Sequence, residues 1–321
     1  MALTGKEEGR SLSGQLAAVV LAVLVGSALV LTGLTARWVV GHPERIRAGL
    51  AWVGERPAVV WVRSRYPRQW NFLDRRLAPG EATGLALTLG VGMVLALGLS
   101  FRQLLDNVLE SDGIAVVDRP VLRFLATHRE PWLVTTMQVI SDVGSPVGVG
   151  ILATVVGVTL AWVRRSWLPL LIAGFGVAGI GMINLTVKGL VSRNRPPVAI
   201  AVLGEDGYSF PSGHTIGTTV VWLLSAWMVN RWVIRGQISR DLLWIGTLSV
   251  VVAVGISRVY LGVHFPSDVM AGWTLGAAWV VMIALVVSVW EQSHRAAAAS
   301  VGHSTLGTGP VSRGRDTVDP G

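Results

Sequence analysis

Seven stretches of this sequence are apolar for long enough, or nearly so, to cross a lipid bilayer: residues 15–36, 83–100, 146–163, 167–187, 213–230, 242–257 and 268–289. A spanning helix needs about 20 predominantly apolar residues, with a range near 17–25. Inside lipid the backbone must satisfy its own hydrogen bonds, which a helix does within one segment. The composition agrees, with 51% of residues hydrophobic and 14% charged, against about 25% charged in a soluble protein. Such a chain cannot cover a water-facing globule, and it is neither disordered, collagen-like nor a cysteine-stapled scaffold. It contains no cysteine, which removes disulfides and thiolate metal sites. The apolar run at 15–36 exceeds the 7–15 residues of a signal-peptide core, so it reads as a retained span.

The net charge of +8 comes from 25 arginines and two lysines against 19 acids. A pI near 11 invites a nucleic-acid partner, but the positions of the charges decide otherwise. Short basic loops stay in the cytoplasm. Arg164-Arg165 joins the third and fourth spans, and Arg231, Arg235 and Arg240 lie between the fifth and sixth. Residues 37–82 carry nine arginines against four acids and fall on the same side. The loops 101–145 and 188–212 and the turn 259–267 then face the extracytoplasmic side, with the amino terminus outside and the carboxyl terminus inside. Seventeen cations and eight acids sit on the cytoplasmic side, ten and eleven on the other. The basic surplus therefore orients the chain and meets anionic headgroups, and no nucleic-acid partner is expected.

The organisation that follows is all-α, a polytopic membrane helix bundle. Residues 1–36 hold an additional N-terminal transmembrane helix. Residues 37–82 form a cytoplasmic basic and aromatic segment in which Trp38, Trp52, Trp61 and Trp70 interleave with arginine, as in an interfacial helix. Residues 83–290 form a six-helix core. Residues 291–321, rich in Ala, Ser, Gly and Thr from 296 onward, are expected to be a disordered cytoplasmic tail.

In a chain this apolar, charged groups pinned to the ends of spans carry the information. They gather in three places on one face. Lys188 leaves the fourth span, followed by Arg193-Asn194-Arg195-Pro196-Pro197; Pro211-Ser212-Gly213-His214 opens the fifth; Ser257-Arg258 closes the sixth, with His264 and Asp268 beyond it. Singly, each has an ordinary reading. Lys188 is a snorkelling cation, Ser212 an N-cap, and Arg258 with Asp268 an ion pair between helices. Those readings do not explain why all share one face, the face where the positive-inside rule disfavours arginine.

Lys188, Arg195 and Arg258 make a site for a compact polyanion, with Asp268 as the one nearby acid. Arginine's fork suits phosphate oxygens and lysine adds a point charge. Ser212-Gly213 opens a helix whose free N–H groups bind anions. His264 and Asp268, four residues apart, can meet so that the carboxylate fixes one imidazole nitrogen and leaves the other free to attack. His214 then remains as proton donor to the leaving oxygen. Two histidines and an aspartate could also form a metal triad, but three converging cations repel a divalent ion, so no metal or other cofactor is expected. Glu205 and Asp206, in a Gly-bounded loop, are expected to face water.

At these residues the sequence resembles the type 2 phosphatidic acid phosphatase superfamily, whose signature reads KxxxxxxRP, PSGH and SRxxxxxHxxxD. Lys188 to Arg195-Pro196, Pro211 to His214, and Ser257-Arg258 with His264 and Asp268 match every fixed position at the right spacing. The resemblance covers residues 83 to about 289. It implies a membrane-embedded phosphatase for lipid phosphates: phosphatidic acid, phosphatidylglycerophosphate or polyprenyl diphosphate. His264 would attack phosphorus to give a phosphohistidine, oriented by Asp268, and His214 would act as acid and then base. Lys188, Arg195, Ser212, Gly213 and Arg258 would bind the phosphoryl oxygens. Arg193, outside the signature, would only add to the field. The same signature occurs in vanadium-dependent haloperoxidases, which are soluble. The alternatives are a membrane sugar-phosphate phosphatase similar to glucose-6-phosphatase, or an inactive transporter or scaffold. The expected location is the cell membrane, with the site on the extracytoplasmic face, membrane lipids around it, and the oligomeric state left open.

Overall fold

The computed structural model describes residues 82–197, 200–202 and 204–306, together with residues 61 and 64–67. The expected span at 15–36 and most of the basic segment 37–82 lie outside the described residues. All the regular structure among the described residues is helical: α1 (Ala82–Glu110), a 3-10 turn (Gly113–Val117), α2 (Asp118–Thr127), α3 (Pro131–Val143), α4 (Pro146–Arg164), α5 (Leu168–Val191), α6 (Gly213–Trp232), α7 (Gln237–Tyr260) and α8 (Pro266–Leu306). The six long helices fall on the six core segments expected.

Leu89–Glu110 of α1, all of α4, α5 and α7, and Pro266–Gln292 of α8 are long and apolar enough to cross a membrane. Their outward faces expose Leu89, Leu99, Ile151, Phe175 and Leu185, side chains that water would not tolerate together and lipid does. The chain is a multi-pass membrane protein.

Helix α6 has a different environment. It packs against α4, α5, α7 and α8, and Thr215, Gly217, Thr218, Thr219 and Ser225 along it are buried. A helix that meets protein on every side can carry hydroxyls, provided each finds an acceptor. Thr218 and Thr219 donate to the carbonyls four residues earlier, those of His214 and Thr215, each at 2.7 Å.

Two glycines set the approach of α8 to α6. A Cβ at Gly272 would lie 2.9 Å from Thr215 Cβ, and one at Gly276 would lie 2.7 Å from Thr219 Cβ. This small-xxx-small spacing lets two backbones come together in a membrane. At the top of that contact the Ser212 N–H donates to the Asp268 carbonyl at 3.1 Å. Below it, Ile216, Val220, Leu224 and Met228 pack with Leu160, Ile172, Val280 and Ile283 in the core.

Two expectations are corrected. Residues 101–145 are not a loop. Helix α1 continues to Glu110 because Phe101, Leu104, Leu105 and Val108 repeat at helical spacing and pack with Phe210 and Ala271; α2 and α3 follow. Helix α8 runs on to Leu306, where a disordered tail was expected from residue 291. The run Ala296 to Ala299 has the highest helix propensity available and prolongs the helix already started.

Candidate active site

The helix ends bring the signature residues together. Lys188 is in the last turn of α5, Ser212 is the N-cap of α6 with Gly213 and His214 its first residues, Arg258 is in the last turn of α7, and Asp268 is in the first turn of α8. His264 lies in the short α7–α8 link. The opposite ends of α4, α6 and α7 carry Arg164, Arg165, Arg231, Arg235 and Arg240.

His264 is buried, with Nδ1 3.5 Å from Asp268 Oδ2 and Nε2 3.3 Å from Arg195 Nη1. The carboxylate of Asp268 is held from several sides. Its Oδ2 accepts from the Phe265 N–H at 2.9 Å and from the Ser209 hydroxyl, while Oδ1 accepts from Arg193 Nη1 at 2.6 Å. Burial pushes the His264 imidazolium below the ordinary histidine range, against the pull of Asp268. The ring is therefore neutral at pH 7, and the carboxylate on Nδ1 selects the tautomer whose lone pair is on Nε2.

Arg195 stands beside that nitrogen, and Arg258 is within electrostatic reach of the ring. Arg195 donates from Nη1 to the Val263 carbonyl at 3.0 Å and from Nε to the Gly207 carbonyl at 3.1 Å. Arg258 is buried at the end of α7 and donates from Nη1 to Ser141 Oγ of α3 at 2.5 Å. Lys188 Nζ donates to the Tyr208 carbonyl at 2.9 Å and stands close enough to Arg195, Arg258 and Asp268 to feel their charges. Ser212 occupies the N-cap position, yet its hydroxyl caps no backbone N–H and instead accepts from Thr215 Oγ1 at 3.0 Å. Gly213 leaves room beside Asn184, whose Oδ1 a Cβ would approach to 3.2 Å; that oxygen is buried without a partner among the described residues. The half-buried His214 ring is within electrostatic reach of Arg258, Glu205, His264 and Arg195.

All eight expected site residues thus converge, and the structure adds others. Glu205 does not face water. Its Oε2 is 2.9 Å from Arg195 Nη1 and its Oε1 pairs with Arg258 Nη2, because two unneutralised guanidinium groups draw in the nearest carboxylate. Burial alone would raise the Glu205 carboxyl, but Arg258, His264 and Arg195 together hold it below the usual carboxylate range. Asp206 is exposed, as expected. Asp268 is also not the one acid nearby. Asp118 of α2, buried, accepts from the Ser267 N–H at 3.0 Å, from Ser267 Oγ at 2.5 Å and from Arg193 Nη2 at 2.7 Å. Arg193 therefore bridges two buried carboxylates, Asp118 and Asp268, with its guanidinium 4.2 Å over the Phe265 ring. That is a larger part than a contribution to the field. Ser141 and Ser209 carried no sequence signal beyond their hydroxyls.

A neutral imidazole backed by a carboxylate, turned toward guanidinium groups at the end of a membrane helix bundle, suits an enzyme that transfers phosphoryl groups at a membrane. Comparison with known proteins gives that class a family. The sequence profile of the PAP2 superfamily matches residues 169–292. A phosphatidylglycerophosphatase B of Bacillus subtilis is 29% identical over 177 residues, which is 55% of this chain and 86% of the relative. A decaprenylphosphoryl-5-phosphoribose phosphatase of Mycobacterium tuberculosis is 35% identical over 167 residues, 51% of this chain and 79% of the relative. The crystal structure of a transmembrane PAP2 type phosphatidylglycerolphosphate phosphatase from Bacillus subtilis matches with a TM-score of 0.56 at 27% identity, covering 59% of this chain and 93% of that one. The chain belongs to the PAP2 superfamily, the type 2 phosphatidic acid phosphatases, and it is a membrane phosphatase.

Proposed function

We propose that this protein hydrolyses a lipid phosphate monoester or diphosphate through a phosphohistidine intermediate, at the extracytoplasmic face of the cell membrane. The observation that carries the reading is the orientation of His264, with Nδ1 against Asp268 and Nε2 beside Arg195. The Nε2 lone pair attacks phosphorus, the bond from phosphorus to the leaving oxygen breaks, and His214 gives that oxygen a proton. A water molecule then attacks the phosphohistidine, giving its proton to His214, and inorganic phosphate leaves. Lys188, Arg195, Arg258, Ser212 and the first N–H groups of α6 hold the phosphoryl oxygens and the charge that develops on them. With cations supplying that stabilisation, the reaction needs no metal. Phosphatidylglycerophosphate and decaprenylphosphoryl-5-phosphoribose, the compounds in the relatives' names, are both lipid phosphates. Phosphatidic acid, phosphatidylglycerophosphate and polyprenyl diphosphate are the candidate substrates.

The test is phosphate release by the purified protein in detergent, with chelator present, from a panel of these lipids. Release should persist in chelator and fall by about 10³-fold or more in His264→Ala. Activity confined to soluble sugar phosphates would replace the lipid reading, and activity surviving His264→Ala would remove the nucleophile.

A further inference from the structure

Glu205 stands where a phosphoryl group would have to sit. Its carboxylate bridges Arg195 and Arg258, and Oε2 is 4.0 Å from His264 Nε2. A phosphorus atom poised for attack needs to come within about 3–3.5 Å of that nitrogen, so the two cannot be present together. Arginine accepts carboxylate and phosphate oxygens with the same fork, which makes Glu205 an internal substitute for the phosphate.

Three features mark it as displaceable. It belongs to the link between α5 and α6, outside any helix, so it can move without moving a helix of the bundle. Its side chain is 23% exposed, whereas Arg258 is 2% and His264 1% exposed. Each arginine also has an anchor of its own, because Ser141 holds Arg258 and the Val263 and Gly207 carbonyls hold Arg195.

We infer that Glu205 is a resident anion of the free site, which the terminal phosphate of the substrate displaces and which single-charged phosphodiesters do not. The inference rests on the proposed function for the identity of the seat. A phosphate monoester brings a charge near −2 and three oxygens, more than one carboxylate offers to the same cations. The phosphodiester of a bulk phospholipid brings one charge and two free oxygens, no more than Glu205, and lacks the tether that keeps Glu205 at high effective concentration. Glu205 thereby keeps the surrounding membrane lipid out of the site.

The experiment compares wild type with Glu205→Gln during hydrolysis of phosphatidic acid in mixed micelles. Inorganic phosphate should inhibit the variant at about tenfold lower concentration, since a site closed for about ten parts in eleven weakens apparent affinity by that factor. Phosphatidylglycerol should leave wild type unaffected and become a competitive inhibitor of the variant. Unchanged or weaker inhibition by phosphate, or a higher KM, would show that Glu205 orients the arginines and would overturn the inference. Glu205→Ala gives the same comparison if the glutamine variant does not fold. The phosphate-induced shift in unfolding temperature, larger in the variant, needs no turnover. A protein that shows that shift but hydrolyses no lipid phosphate retains the inference while losing the proposed substrate class.

Discussion

At the scale of single residues, the site works by setting buried charges against one another. In the proposed mechanism His264 must be neutral to attack, and burial holds its pKa below the ordinary histidine value, about 6.5. Lowering the pKa moves the loss of the lone pair to more acidic pH. An aryl phosphate, whose leaving group needs no proton from His214, isolates this ionisation. Formation of the phosphohistidine adduct in His214→Ala protein should be flat from neutral pH down to about 6.5 and fall only below it. A decline beginning above pH 7 would mean that Asp268 outweighs burial. Asp118 supports the same dyad from behind, through Ser267 and Arg193. Asp118→Asn keeps the shape and removes the charge that two side chains and one backbone N–H converge on. It is expected to cost about 1.5–3 kcal/mol in thermal unfolding and to lower kcat more than it raises KM; an unchanged kcat would confine Asp118 to stability. What was legible in the sequence at this scale follows from spacing. Lys188 with Arg195, Ser212 with His214, and His264 with Asp268 are each close along the chain. The partners that were missed come from far away: Ser141 reaches Arg258 across 117 residues and Asp118 reaches Ser267 across 149. Glu205, bracketed by Gly204 and Gly207, looks solvated until Arg195 and Arg258 are placed beside it.

At the scale of helices, hydropathy made the spans visible and also explains the misreadings. A window of apolar residues ends where charges begin, so α1 was expected to stop near residue 100. The helix continues because its apolar face turns inward while Arg102 and Asp106 pair on the other side at 3.6 Å. The contact between α6 and α8 decides whether the two halves of the site meet. Gly276→Leu should force Thr219 and its helix away, at a cost of about 1–3 kcal/mol, and reduce activity with it, since Ser212 and Asp268 sit on the same interface. Thr219→Gly in the same chain makes space for the new side chain and should restore much of the loss. Unfolding temperature and phosphate release in the single and double variants measure the coupling, and strict additivity would show that the glycines do not set this distance.

At the scale of the whole molecule, the two ends of the bundle differ in chemistry. One end holds the cluster proposed to bind phosphate, with its cations set against Glu205, Asp118 and Asp268; the other holds Arg164, Arg165, Arg231, Arg235 and Arg240. The proposed topology follows the positive-inside rule, with the second end cytoplasmic and the site outside. Gly204 is exposed, with open space around it, and the native chain has no cysteine. Gly204→Cys should therefore react with a membrane-impermeant maleimide from the extracytoplasmic side of intact cells. Labelling only after the cytoplasmic side is opened would invert the topology.

The enclosure of α6 bears on how such a molecule is made. Among the six long helices it is the one that does not qualify as a span on length and hydropathy, because its threonines and glycines suit neighbouring helices better than acyl chains. Emerging from the ribosome, it follows α4 and α5 and precedes α7 and α8, so half of its eventual surroundings do not yet exist. Left alone, it has little reason to leave the translocation channel for lipid. Its integration is thus tied to the pair already inserted and completed by the pair that follows. The helix that begins with Ser212 and His214 should then be among the last to settle, and the candidate site should assemble only once α8 is in place.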